Sequence, residues 1–150
     1  MKEIERKFLV KALPVDLDSF PRAEIHQGYL AYEPGNRQVR LRRCGDEHWL
    51  TVKLREGMAR DEVTIALTAS DFAVLWPLTE GRRLHKTRHR VPHEGLTIEV
   101  DVYHGRREGI VVAEVEFDNE ERCRDFVPPA WLGKDVTLEP AYKNTTLAFS

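Results

Sequence analysis

Cysteine is scarce in this 150-residue chain, which has only Cys44 and Cys123. Two cysteines this far apart provide neither a disulfide framework nor a cysteine-rich zinc site, and free thiols suit a reducing compartment. Long hydrophobic runs are also missing, because charged residues make up 32% of the chain and interrupt its apolar stretches. A membrane-spanning helix is therefore not expected.

The chain has no large excess of charge of one sign. Its 23 lysines and arginines and 25 aspartates and glutamates give a net charge of −2. This balance argues against a general attraction to nucleic acid or to anionic membranes, so a site for a polyanion must be local. Residues 1–7, MKEIERK, are charged where a secretory signal needs an apolar core, which favours a cytoplasmic location.

The length suits one domain, expected to span residues 1–150. Alternating apolar and polar residues predict about eight mostly antiparallel strands, at 3–11, 24–32, 37–43, 48–54, 60–68, 83–91, 96–103 and 110–117. Short peripheral helices are expected at 15–20, 70–76, 119–126 and 142–149, with Ser70 and Asn119 as N-caps. The chain is thus expected to be mainly β.

Side chains alternate between the two faces of a strand, and this separates an apolar face from an ionic face. On the ionic face the charges are sorted by strand, with acidic pairs at Glu3/Glu5, Glu99/Asp101 and Glu114/Glu116 and basic pairs at Arg40/Arg42 and Lys86/Arg88. One interpretation is an antiparallel sheet whose ionic face meets solvent. The other is a closed barrel, in which the ionic face lines the lumen and the charges converge.

Converging charges of one sign repel unless something of opposite sign lies between them. Carboxylates without convergent cysteine or histidine favour Mg²⁺ or Mn²⁺. Clustered arginine and lysine suit phosphate oxygens, which arginine can bind in a bidentate manner. A metal-bound triphosphate would satisfy both groups of charges.

The N-terminal Glu-x-Glu-x-Lys of residues 3–7 resembles the signature of the CYTH superfamily, the triphosphate tunnel metalloenzymes. Seven further blocks resemble those of the family and occur in the same order, at residues 27–30, 39–42, 50–53, 86–88, 99–101, 113–116 and 142–144. The resemblance implies a mainly β (α+β) fold, an eight-stranded antiparallel closed β-barrel enclosing a triphosphate tunnel, with short helices outside it.

The resemblance also implies roles for individual residues. One or two Mg²⁺ or Mn²⁺ ions would be held by Glu3, Glu5, Glu62, Asp101, Glu114 and Glu116. Triphosphate oxygens would be bound by Lys7, Arg40, Arg42, Lys53, Arg60, Lys86 and Arg88, and the catalytic residues would be Lys86 and Glu5. The segment from Arg60 to Thr64 resembles a family strand Arg-x-Glu-x-Glu, in which Thr64 replaces the second carboxylate.

The resemblance implies metal-dependent phosphoryl transfer from a small triphosphate to water. The chain looks most like the family's short bacterial-type inorganic triphosphatases, which implies that inorganic tripolyphosphate gives pyrophosphate and phosphate. Thiamine triphosphate and nucleoside triphosphates remain open as substrates. The alternatives are a class IV-type adenylyl cyclase that forms cyclic AMP from ATP, and a non-catalytic polyphosphate-binding module. The expected partner is the triphosphate; neither nucleic acid nor a membrane is expected, and a homodimer is left open.

Overall fold

The structure, a computed structural model, describes residues 4–54 and 61–149, except the side chain of Asp61. The strands in these residues are β1 (Glu5–Val10), β2 (Arg22–Glu33), β3 (Arg37–Cys44), β4 (Glu47–Leu54), β5 (Asp61–Ala66), β6 (Arg83–His93), β7 (Leu96–Tyr103), β8 (Val111–Glu116) and β9 (Leu132–Asp135). The α-helices are α1 (Ala69–Leu75), α2 (Glu120–Asp125) and α3 (Asn144–Phe149). Short 3₁₀ turns lie at Leu17–Ser19, Trp76–Thr79, Gly105–Arg107 and Pro140–Tyr142. The expectation of a mainly β chain is confirmed.

The prediction of an eight-stranded closed barrel is wrong. The strands form one nine-stranded antiparallel sheet in the order β5-β4-β3-β2-β6-β7-β8-β1-β9, and β5 and β9 are its edges. A barrel closes only when its two edge strands pair along their length. Both edges are short here, because β5 has six residues and β9 has four, with a shifted register against β1. Alternation in the sequence did not predict β9, which follows Pro128-Pro129.

The described chain packs as two compact units, of which the second contains residues 4–23 and 86–142. Strands β1, β7 and β8 of this unit pair antiparallel and contribute their apolar faces to its core. The core members from these strands are Phe8, Ile98, Val100, Ala113 and Val115. The apolar face predicted for these strands is therefore buried, and their ionic face lies on the other side of the sheet.

The first unit contains residues 24–85 and 143–149. Strands β2 to β5 form successive antiparallel pairs, and Leu41 of β3 is completely buried. On β5, however, Val63 is 60% exposed and Ile65 is 50% exposed. Alternation along the predicted strand 60–68 puts Val63 and Ile65 on the apolar face, which was expected to form the core. That expectation is wrong for these two residues, because β5 is an edge strand and α1 packs over its neighbour β4.

The helices are short, and α1 and α2 begin at side-chain caps. Helix α2 begins as predicted, since the Arg122 amide donates to Oδ1 of Asn119 at 2.8 Å. Helix α1 is capped by Thr68, which accepts from the Asp71 amide at 3.0 Å, so the prediction of Ser70 as the cap is wrong. In the described ranges, no helix combines the length and the hydropathy needed to cross a bilayer.

Strand β2 is pressed closely against the 3₁₀ turn that follows α1. A Cβ atom added to Gly28 would lie 2.7 Å from Cβ of Thr79, a distance that real side chains do not tolerate. Thr79 is itself fixed, because its hydroxyl donates to the Trp76 carbonyl at 2.7 Å and accepts from Nε of Arg83 at 2.9 Å. Glycine at position 28 therefore permits this contact, and alternation directs its neighbours Gln27 and Tyr29 to the opposite face.

Candidate active site

Three carboxylates come together on the ionic face of the second unit. Strand β1 places Glu5 opposite Glu116 of β8, and Glu114 lies two residues earlier on the same face of β8. One oxygen from each of these three residues, the glutamate cluster, lies within 4.8 Å of the others. Carboxylate oxygens at this spacing match the donors that a hard divalent cation takes from proteins.

The electrostatics of Glu114 agree with a cation site. Burial works to raise the pKa of Glu114, but a hydrogen bond with Glu5 and the charges of Lys7, Arg88 and Lys86 hold this pKa below its usual value. A hydrogen bond between two carboxyl groups needs a proton on one of them, and a divalent cation can take the place of that proton. The glutamate cluster therefore fits Mg²⁺ or Mn²⁺ by donor type and by charge.

Two cations share one buried carboxylate on the neighbouring strands. Oδ2 of Asp101 accepts from Nζ of Lys86 at 2.8 Å and from Nη2 of Arg88 at 3.0 Å, while Oδ1 accepts from Nε of Arg88 at 2.8 Å. Burial works to raise the pKa of Asp101, but the charge of Lys86 and the hydrogen bonds and charge of Arg88 lower it well below its usual range. This triad of two cations and one anion keeps one net positive charge inside the unit.

Further contacts hold these cations in place. The Lys86 side chain is completely buried, and its Nζ lies 5.5 Å from the centre of the Tyr103 ring. Nη1 of Arg88 lies 3.3 Å from a Glu99 oxygen. Burial works to lower the pKa of Arg88, but Asp101, Glu99 and Glu114 raise it above its usual value, so the guanidinium stays charged. On β1, Nζ of Lys7 donates to the carbonyl of Tyr142 at 3.0 Å.

The two arginines of β3, in the first unit, are hydrogen-bonded to neutral groups. Arg42 donates to Oε1 of Gln27 through Nε at 2.9 Å and through Nη2 at 2.6 Å. Arg40 reaches Oγ1 of Thr51 from Nη2 at 3.5 Å. The buried Nε of Arg40 has no hydrogen-bond partner among the described residues, so it can still donate to an anion.

The neighbouring strand pair of the first unit carries the position at which the sequence departs from the family pattern. Nζ of Lys53 lies 3.7 Å from a Glu62 oxygen. The Thr64 hydroxyl lies 2.9 Å from the Thr51 hydroxyl, so a neutral hydrogen bond stands where the family pattern has a second carboxylate. The β4–β5 strand pair consequently carries one negative charge fewer than the family pattern would give it.

Comparison with known proteins identifies the family. A family model described as the CYTH domain matches residues 1–138. This chain belongs to the CYTH family. A curated protein from Nitrosomonas europaea, named inorganic triphosphatase, is 41% identical, and the match covers 100% of this chain and 99% of that protein. A second protein of that name, from Acetivibrio thermocellus, is 34% identical over 97% of this chain and 92% of its own length.

Solved structures give the same assignment. A crystal structure of an inorganic triphosphatase matches with a TM-score of 0.81 at 38% identity, covering 100% of this chain and 96% of that chain. A putative adenylate cyclase from Bacillus halodurans matches with a TM-score of 0.58 at 15% identity, covering 81% and 83%, and this likeness shows the fold alone. The CYTH resemblance carried by the sequence blocks is confirmed.

Eleven of the thirteen predicted site residues lie in the described part of the chain and are divided between the two units. Glu3 and Arg60 lie outside the described residues. The second unit holds Glu5, Lys7, Lys86, Arg88, Asp101, Glu114 and Glu116, and the first holds Arg40, Arg42, Lys53 and Glu62. Within the second unit, Glu5, Glu114 and Glu116 come together, whereas Asp101 is bound by Lys86 and Arg88. Metal ligation by Asp101 and by Glu62 stays a prediction.

Sequence reasoning assigned no role to two buried residues of β2, although both lie in a block typical of CYTH proteins. Gln27 faces Arg42 and Tyr29 faces Arg40 across the β2–β3 pair. The alternation of β2 was the signal that could have revealed them, because it puts an amide and a phenol on the face that carries both arginines. Their contacts make them part of the candidate site.

Proposed function

We propose that this CYTH protein is a metal-dependent triphosphatase that hydrolyses inorganic tripolyphosphate to pyrophosphate and phosphate. The observation that carries the proposal is the glutamate cluster, in which Glu114 is surrounded by the charges of Lys7, Lys86 and Arg88. Oxygen donors for a hard cation and fixed cations for an anion thus occur on one face of one unit. The two curated relatives named inorganic triphosphatase support the same activity.

The metal would be held first by Glu5, Glu114 and Glu116. The sequence predicts Glu3, Glu62 and Asp101 as further ligands, with one or two Mg²⁺ or Mn²⁺ ions in all. A divalent cation bound here supplies positive charge for phosphate oxygens and acidifies water for attack on phosphorus. Glu5, a member of the glutamate cluster, stays a predicted catalytic residue.

The cations would bind the anion and stabilise the charge that develops on it. The Lys86 ammonium is held in place by Asp101, so its charge can act on a phosphate oxygen without reorganisation. Arg88 and Lys7 are the other triphosphate ligands of the second unit. Arg40, Arg42, Lys53 and Arg60 stay predicted triphosphate ligands on the family pattern. Electrostatic stabilisation by these fixed groups would supply most of the rate acceleration.

Other expectations stay predictions. These are a single functional domain over residues 1–150, a cytoplasmic location, and the triphosphate as the partner in preference to nucleic acid or a membrane. A homodimer is a further prediction that size-exclusion chromatography with light scattering can test.

The experiment measures phosphate release from tripolyphosphate, ATP and thiamine triphosphate with Mg²⁺, with Mn²⁺ and with a chelator. We expect metal-dependent release that is fastest from tripolyphosphate. Glu114→Gln should lower kcat by orders of magnitude while the circular dichroism spectrum is retained, and the exposed Glu121→Gln of α2 is the matched control. Cyclic AMP formation from ATP would identify a cyclase instead, and tight binding of tripolyphosphate without release would identify a binding module.

A further inference from the structure

Two cations of this protein, Arg88 and Arg42, donate hydrogen bonds to chemically different groups. Arg88 shares a carboxylate, Asp101, with Lys86, so part of its charge is cancelled by a fixed anion. Arg42 instead donates two hydrogen bonds to the single oxygen Oε1 of Gln27. Because an amide carries no net charge, these bonds restrict the guanidinium without cancelling its charge.

The Gln27 amide can take only one orientation. Its side chain is completely buried, and its Nε2 donates to the hydroxyl oxygen of Tyr29 at 2.8 Å. Turning the amide over would direct its NH₂ group at the N–H donors of Arg42 and would lose both bonds. Tyr29 thus fixes Gln27, and Gln27 in turn fixes Arg42.

The phenol is also suited to stay neutral. Tyr29 is 1% exposed, and this burial raises its pKa above the usual value, although Arg40, the bond from Gln27 and Arg42 oppose the rise. A neutral phenol whose oxygen accepts from Gln27 retains its own proton for donation. The support that Gln27 and Tyr29 give to Arg42 is therefore uncharged near neutral pH.

Backbone geometry locks this support. Gln27 lies directly opposite Arg42, and Tyr29 directly opposite Arg40, in the β2–β3 register. Between them, Gly28 lies against the fully buried Thr79 on the other face of the strand. A shift of β2 by one residue would therefore place a side chain where no space exists.

We propose that Gln27 is a positioning residue for Arg42: its Tyr29-anchored amide orients the guanidinium toward the phosphate oxygens of the substrate and, being neutral, cancels none of the charge that attracts that anion. The inference rests on the proposed function, since it assigns Arg42 to a triphosphate. It separates two properties of Gln27, the hydrogen bonds and the neutrality. Two substitutions remove these properties one at a time.

Gln27→Met keeps the length of the side chain and removes its hydrogen bonds to Arg42. Gln27→Glu keeps an acceptor for Arg42, and Tyr29 can donate to it, but the new carboxylate cancels the arginine charge. Each variant should raise KM for tripolyphosphate by about tenfold or more, with kcat changed much less. Gln27→Met does so because hydrogen bonds to a charged group are lost, and Gln27→Glu because the charge of that group is cancelled. Tyr29→Phe should raise KM in the same direction by a smaller factor, because Gln27 loses its anchor but not its bonds to Arg42.

The decisive measurement repeats Gln27→Met and Tyr29→Phe in an Arg42→Ala background. Residues that act through Arg42 should leave KM almost unchanged once Arg42 is absent, whereas a general structural role would cost the same in both backgrounds. Additive effects, or an unchanged KM in Gln27→Glu, would overturn the inference. If Gln27→Met fails to fold, the Gln27→Glu variant and the Tyr29→Phe cycle still decide it.

The control for the underlying function is the wild-type protein itself. A wild type that releases no phosphate from tripolyphosphate contradicts the proposed function, and the same variants are then compared by calorimetric titration with tripolyphosphate and Mg²⁺. Weaker binding in the Gln27 variants would still support the inference without turnover. Wild-type turnover together with an unchanged KM in every Gln27 variant would overturn the inference and leave the proposed function standing.

Discussion

Nζ of Lys86 lies 2.8 Å from Oδ2 of Asp101, and both side chains are withdrawn from solvent. A buried lysine without a partner would lose its charge, because burial disfavours the ammonium form. The Asp101 carboxylate offsets this cost and also receives Arg88 through two further hydrogen bonds. Asp101 therefore keeps two cations charged inside the second unit, where we propose that they bind the triphosphate.

The first prediction concerns the stability of this triad. Asp101→Asn removes the negative charge that stabilises the buried ammonium of Lys86, so the free energy of unfolding should fall by about 3–5 kcal/mol, the cost of breaking a buried ion pair. Urea denaturation measures the change. The control is Asp18→Asn, which removes an exposed partner of Arg22 and should cost about 0.5 kcal/mol or less. Equal stability of the two variants would contradict the role given to Asp101.

The sequence predicted the local part of this site well. Alternation along a strand decides which side chains share a face, and tight turns make successive strands neighbours. These two local rules place Glu114 on the same face as Lys86 and Arg88. The glutamate cluster extends this across β1 and β8, which are distant in sequence. Alternation put Glu5 on the ionic face, but its position opposite Glu116 depends on this strand pairing, and its role as a metal ligand came from the family pattern.

The parts that failed depend on long-range pairing. Whether β5 pairs with a second strand, on the side away from β4, depends on residues far along the chain. Alternation within β5 carries no information about those residues. Val63 and Ile65 show the same limit. Alternation tells which face of the strand a side chain is on, but not whether anything covers that face. Gln27 was overlooked for a different reason: alternation puts it on the face that carries Arg42, but it has no charge, and only the contact with Arg42 shows what it does there.

The second prediction tests the close approach between β2 and the 3₁₀ turn. Gly28→Ala should destabilise the protein by about 1–3 kcal/mol, the usual cost of overpacking, because the new methyl group meets Cβ of Thr79. Thr79→Gly removes that atom, so Gly28→Ala should cost much less in the Thr79→Gly background. Thermal unfolding of the four proteins gives the coupling. Additive costs would show that the contact with Thr79 is not what excludes alanine.

The third prediction concerns metal binding by the glutamate cluster. Three carboxylates within 4.8 Å repel one another, so Mg²⁺ or Mn²⁺ bound to the folded state should raise the melting temperature. At a metal concentration of about 100 times Kd, the free energy of unfolding should rise by about 2.7 kcal/mol. Glu116→Gln should weaken the metal-induced shift, and Glu121→Gln should leave it at the wild-type value. A full shift in Glu116→Gln would remove Glu116 from the ligand set.

The last prediction concerns acid sensitivity where β9 is held to β1. Burial works to raise the pKa of Asp135, but hydrogen bonds from Thr137 and the hydrogen bond and charge of Arg6 lower it below its usual value. A carboxyl group whose pKa is lower in the folded state binds fewer protons there than in the unfolded state. Its stabilising effect is therefore present above the ordinary aspartate pKa of about 3.9, and it is lost as the pH falls through the pKa of the folded state. Asp135→Asn should therefore be less stable than the wild type at pH 6, and this difference should shrink as the pH falls below 4, as measured by urea denaturation at each pH. Thr137→Val should act in the same direction because it removes one of the donors. A stability difference that stays constant from pH 6 to pH 3 would show that Asp135 contributes through packing and not through its charge.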